Sequence, residues 1–276
     1  MIQATLSIFP KFCPHLSAAQ LAGLVREVGL DTTNLVVRDG YWVSRTSLRT
    51  DLPAFMRVMR DEGLDVRFCT AGFMPEEVIE EPWLVECLAA EGIREFRMGY
   101  FRSKDGRPAE ALDRARAELD RMMPVLERSG VRAVYQVHHG TLIPSASAAY
   151  LLARDRPSRW FGIELDPGNQ QFEGAEDFLR SAQLLGDSLV AVGVKDVAVE
   201  RDANRAATPS KGWTKRWAPI DEGVVNWHEV VGALAWVGFR GTMVFMPFYD
   251  EKDPARMTMK LKREVAYLRS ILTGAK

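Results

Sequence analysis

Short apolar or β-branched runs alternate along the chain with longer stretches whose apolar positions recur at helical spacing. The runs are residues 2–8, 33–38, 65–70, 94–99, 131–138, 160–166, 188–194 and 241–247. Between them, Ser17 is placed to cap a helix with Leu21, Leu24, Val25 and Val28 on one face, and Gly29 is placed to end it. Further helices are expected from about Asp51 with Pro53 in the first turn, from Pro75, and over 108–129, 145–154, 175–185, 227–237 and 253–272. Eight strands and eight helices in strict alternation predict one α/β domain over residues 1–276, a (β/α)8 TIM barrel. A doubly wound sheet is the alternative, but no Gly-rich phosphate turn follows the first strand. Residues 197–218, with Trp213 and Trp217 among five basic residues, read as one long irregular loop. Loops of that length are commonly lids or binding segments.

Charge narrows the partners. Lys plus Arg number 36 against 37 for Asp plus Glu, so the chain exerts no global pull on nucleic acid or an anionic membrane. No run approaches the roughly 20 apolar residues of a membrane span, and the N-terminus lacks the pattern of a secretion signal. Three cysteines are too few for a disulfide framework or a zinc ribbon, which suits a reducing cytoplasm. A small-molecule ligand is the expected partner, with no nucleic acid and no membrane. Oligomeric state is not legible.

A barrel of this kind places its chemistry at the C-terminal ends of the strands. Strand alternation puts Gln136 with His138 on one face, Glu164 with Asp166, and Gly193 with Lys195, and allows at most one of His138 and His139 into the mouth. Arg38, Arg97 and Lys195 against Glu164 and Asp166 would leave one positive charge in excess, predicting a ligand with an oxyanion, carboxylate or phosphate. Plainer readings stand beside these. Gln136 could be a satisfied core amide, Asp166-Pro167-Gly168 a turn, Lys195-Asp196 a local ion pair, and Trp217 packing for its own loop.

Four segments carry a resemblance: Gln136 to Gly140, Gly162 to Asn169, Gly193 to Asp196, and Pro219 to Trp227. With 241–247 they resemble the xylose isomerase-like sugar isomerase/epimerase barrels over essentially the whole chain. The resemblance implies a divalent metal held by Glu, Asp, His and Glu at the ends of strands five to eight. Here those positions carry Gln136, Asp166, Gly193 and Met246, so three of the four ligands are replaced. The charge of the set falls from -3 to -1, whereas a hard cation wants about six oxygen ligands. No bound metal and no cofactor are therefore expected.

Two functional readings follow. In one, Lys195 supplies the positive charge beside Asp166, with Gln136, His138, Asp166 and Lys195 as catalytic candidates. Arg38, Arg97, Glu164, Asn169, Met246 and Trp217 would then hold a small polyhydroxylated or keto-acid ligand for isomerase-, epimerase- or lyase-type chemistry. In the other, the chain is an inactive family member that binds a ligand or a partner subunit. Abasic-site endonucleases share this barrel but need a His- and carboxylate-rich metal cluster, and four histidines on a nearly neutral chain speak against that.

Overall fold

The computed structural model describes residues 2–103, 106–173, 176–207 and 210–274. In chain order the elements are β1 (Thr5–Ile8), α1 (Ala18–Val28), β2 (Thr32–Thr33), β3 (Leu35–Val36), α2 (Leu48–Asp61), β4 (Phe68–Thr70), α3 (Pro75–Glu80) and α4 (Trp83–Ala90). Then come β5 (Glu95–Arg97), α5 (Pro108–Ser129), β6 (Arg132–Gln136), α6 (Ala146–Ala153), β7 (Phe161–Leu165), α7 (Pro167–Glu173) and α8 (Phe178–Leu185). The chain continues through β8 (Leu189–Val194), β9 (Asp196–Arg201), β10 (Trp213–Ala218), α9 (Trp227–Trp236), β11 (Thr242–Phe245) and α10 (Pro254–Gly274).

Nine strands pair in parallel in the order β2-β1-β11-β8-β7-β6-β5-β4-β3. β2 and β3 are two pieces of one stave, interrupted where the buried Asn34 side chain accepts from Ser7 Oγ at 2.6 Å. The two ends of the sheet thus meet, and the expected (β/α)8 barrel is formed. Alternate strand residues such as Tyr135, Ile163 and Leu165 face the helices and join the main core with Leu21, Leu52, Leu126 and Trp227. Phe68, Val134, Val190 and Ala191 pack in a separate cluster. Gly162 makes room for it, since a Cβ there would stand 2.3 Å from Val190 Cγ2.

Several elements depart from the sequence reading. The strands end earlier than the apolar runs, so Arg38, His138 and Asp166 lie beyond them. Pro53 sits inside α2, which begins at Leu48, and the helix expected from Pro75 is cut in two before Trp83 by Glu81 and Pro82. The segment 197–218 is not an irregular loop. β9 and β10 form an antiparallel hairpin running from Asp196↔Ala218 to Arg201↔Trp213, its alternation masked by outward Glu, Arg and Lys residues. Asp177 caps α8, so the first helical residue is Phe178, and the expected start at Ala175 lies outside the described residues. Among the described residues no helix is long and apolar enough to cross a membrane.

Candidate active site

Asp166 is the hinge between fold and site. It follows β7 and caps α7: its Oδ1 accepts the Asn169 backbone N–H at 2.8 Å, and Pro167 occupies the first helical position, where no N–H is needed. The turn reading of this tripeptide is thereby replaced by a capped helix. The cap fixes the carboxylate and leaves Oδ2 to accept Gln136 Nε2 at 2.8 Å, with Lys195 Nζ at 3.1 Å. Lys195 also donates to Asn169 Oδ1 at 2.7 Å, an oxygen that His139 Nδ1 reaches at 2.9 Å. Asn169 in turn donates to the Val137 carbonyl at 2.9 Å.

The hydrogen-bond network orients the Gln136 amide. Its Oε1 accepts from Arg97 Nη1 at 2.9 Å and from the Tyr100 hydroxyl, while Nε2 faces Asp166 and the Met246 Sδ at 3.4 Å. The flipped amide would set donor against donor and oxygen against carboxylate. Arg97 also lies over the Phe9 ring at 4.7 Å and 3.9 Å from Glu164 Oε2. Glu164 is fully buried, and among the described residues neither carboxylate oxygen has a hydrogen-bond partner. Burial pushes its pKa up to about 7, opposed by Arg97.

Aromatic rings cover the cluster. Lys195 Nζ stands 4.1 Å from the Trp217 centroid and 5.2 Å from that of Phe248, and Phe172 lies 4.3 Å from Trp217. The lysine is 4% exposed. Burial lowers its pKa, with Asp166 pulling the other way. His138 Nδ1 faces the His139 carbonyl at 2.7 Å, so that nitrogen carries the proton and Nε2 is left as an acceptor. Burial lowers the His138 pKa to about 4, keeping the ring neutral.

Three expectations need correction. Both histidines face this region, stacked 4.4 Å apart, because strand alternation stops with β6 at Gln136. His138 packs on Tyr100 at 4.7 Å and His139 on Phe172 at 4.9 Å. Lys195 and Asp196 do not pair with each other. Asp196 accepts the Val197 and Val225 backbone N–H groups and Trp227 Nε1 at 2.7, 3.0 and 3.0 Å, tying down the approach to α9. Arg38 stays outside the cluster: it is exposed, and among the described residues its side chain has no hydrogen-bond or ion-pair partner. Within the cluster the buried ionisable side chains are therefore Arg97 and Lys195 against Glu164 and Asp166, two basic and two acidic.

The remaining predicted residues sit around the same centre. Met246 is buried with Phe9, Val36 and Val244, and Trp217 is half-buried above Lys195. Sequence reasoning missed Phe172, Phe248 and Lys11. Lys11 is half-buried, and its pKa is lowered by burial and by the neighbouring Arg38 and Arg97 charges. Its position in the loop after the first barrel strand was the available signal. For Phe248 the signal was its place just past the last one.

A family model described as xylose isomerase-like TIM barrel matches residues 83–271. The chain belongs to the xylose isomerase-like TIM barrel family. No curated protein sequence matches it. A xylose isomerase-like TIM barrel protein from Mycobacterium smegmatis, solved in complex with magnesium, is 15% identical and covers 100% of this chain and 98% of its own, with a TM-score of 0.69. D-psicose 3-epimerase, solved in the presence of D-fructose, is 13% identical over 97% of this chain and 99% of its own, at a TM-score of 0.74. The 3-keto-D-glucoside 4-epimerase from E. coli is 17% identical over 98% and 99%, at 0.65. At such identities the likeness is one of fold.

The xylose isomerase-like resemblance implies a metal, and the residues present do not fit one. Gln136 turns a donor toward the centre, Met246 offers a soft thioether, and Gly193 offers no side chain. A Cβ at Gly193 would already stand 2.9 Å from Asp166 Oδ2. The Lys195 ammonium lies against the one carboxylate of the set. Among the described residues no group of three or more His, Cys, Asp or Glu side chains could hold a metal ion.

Proposed function

We propose that this chain binds a small polyhydroxylated or keto-acid ligand at the barrel mouth and moves a proton beside its carbonyl without a divalent metal. The observation that carries this reading is the chain Gln136–Asp166–Lys195–Asn169 at the C-terminal ends of the strands. There a lysine occupies the electrostatic place of a cation. Lys195 would polarise the carbonyl oxygen, Asp166 would exchange a proton with it, and His138 Nε2 would accept from a ligand hydroxyl. Gln136 holds Asp166 in register. The rim favours an anionic group on the ligand, because Lys11 and Arg38 are adjacent cations with no carboxylate partner among the described residues. Epimerases among the solved structures of like fold make isomerase, epimerase or lyase chemistry the first to assay.

A second reading, a ligand-binding or partner subunit without chemistry, is favoured by the buried polar network, in which Gln136 and Asp166 use both ends of their side chains. Thermal-shift screening with sugars, sugar phosphates and sugar acids, followed by NMR in D2O, separates the two. Deuterium uptake at the carbon beside the carbonyl supports catalysis. A stabilising ligand that never exchanges supports the second reading, and no stabilising ligand removes both.

A further inference from the structure

We infer that Lys195 is a covalent nucleophile which condenses with the carbonyl of the ligand to form an imine. The inference rests on the proposed reading that the mouth takes a carbonyl compound, and goes beyond it by assigning a bond. Three observations point to it. Lys195 is a primary amine held at 4% exposure among carboxylate, amide and aromatic groups, not a surface lysine in water. Its Nζ has two oxygen acceptors, Asp166 Oδ2 at 3.1 Å and Asn169 Oδ1 at 2.7 Å. A neutral amine has two hydrogens for those two oxygens, which leaves its lone pair directed away from both. The Trp217 and Phe248 rings stand on a further side, their centroids 4.1 and 5.2 Å from Nζ, and help to keep water from the amine.

The step balances within the cluster. Asp166 takes one proton from the ammonium, and the freed amine attacks the carbonyl carbon as the C=O π bond opens to an alkoxide. The alkoxide recovers that proton from Asp166, giving a protonated carbinolamine. A second proton passes from nitrogen to the hydroxyl through the same carboxylate. Water leaves, and the nitrogen lone pair forms the C=N bond. Ammonium and carbonyl have become iminium and water, with charge conserved. The iminium then acidifies the adjacent C–H more strongly than a hydrogen-bonded carbonyl does.

The full chain is incubated with dihydroxyacetone, pyruvate or fructose, each with sodium cyanoborohydride, then digested and mapped by mass spectrometry. The expected result is a Lys195 peptide heavier by the carbonyl compound less one oxygen, labelled at least tenfold faster than the exposed Lys252 and Lys262. Lys195→Arg should abolish that label. Should this variant fail to fold, site selectivity within the wild-type chain still decides. Labelling of Lys195 no faster than of the surface lysines overturns the inference. If a carbonyl compound nevertheless raises the melting temperature, the proposed ligand class survives. If none does, that reading falls with it.

Discussion

Gly193 and Glu164 show how single positions set the character of this site. Any side chain at Gly193 would press on Asp166, since its Cβ would approach Oδ2 to 2.9 Å and that oxygen is already held by Gln136 and Lys195. Gly193→Ala is therefore expected to destabilise by about 1–3 kcal/mol, measured by urea unfolding. An unchanged midpoint would show that the carboxylate yields freely. Glu164 carries a pH effect of definite sign. Its pKa in the fold, about 7, lies above the ordinary 4.5, so the folded chain holds this proton more tightly than the unfolded one. Its contribution to stability is present below about pH 4.5 and is lost as pH rises through about 7. Glu164→Gln should flatten the slope of stability between pH 5 and pH 8 and gain on the order of 1–3 kcal/mol at pH 8. Urea unfolding at both values tests this, and equal slopes in the two proteins would contradict it. At this scale Gln136, Asp166 and Lys195 could be read from the chain, because each stands close to the end of an apolar run. Arg38 and His139 could not, since they lie two and three residues past the ends of β3 and β6, where period-two geometry no longer directs a side chain.

The β9–β10 hairpin is the element that distinguishes the mouth. Lys215 Nζ donates to the Gln171 and Phe172 carbonyls at 2.6 and 3.0 Å, pinning the hairpin to the end of α7 while Trp217 reaches over Lys195. Those bonds are solvent-exposed, so Lys215→Ala should cost less than about 1 kcal/mol of stability. It should nonetheless speed limited proteolysis within residues 202–212 several-fold, and an unchanged cleavage rate would mean that the ring stack alone holds the hairpin. This element was hidden in the sequence because its outward positions are Glu, Arg, Lys and Thr, which read as a polar loop. α7 was hidden for the opposite reason, a Pro-Gly pair that suggests a turn but here opens a helix. The barrel helices were easier to find, the caps of α1 at Ser17 and Gly29 standing where expected.

At the scale of the molecule the alternation of strand and helix was legible because each βα unit is local in sequence. The splitting of the second stave was not, since β2 and β3 reach opposite ends of the sheet order from one short segment. Nor was the assembly of the polar cluster, which joins side chains from the ends of four neighbouring strands, β5 to β8. A chain that keeps the fold on these contacts alone should be indifferent to chelation. Its melting temperature is expected to move by less than about 1 °C with excess EDTA or with added manganese. A shift of several degrees would return a metal to the mouth. The double use of Asp166 has a consequence for descent. The carboxylate that answers Lys195 also starts the helix carrying Phe172, so a lineage shedding this acid would lose part of the roof along with the chemistry. Idle copies of the protein should therefore decay elsewhere first, leaving this position intact long after others have drifted.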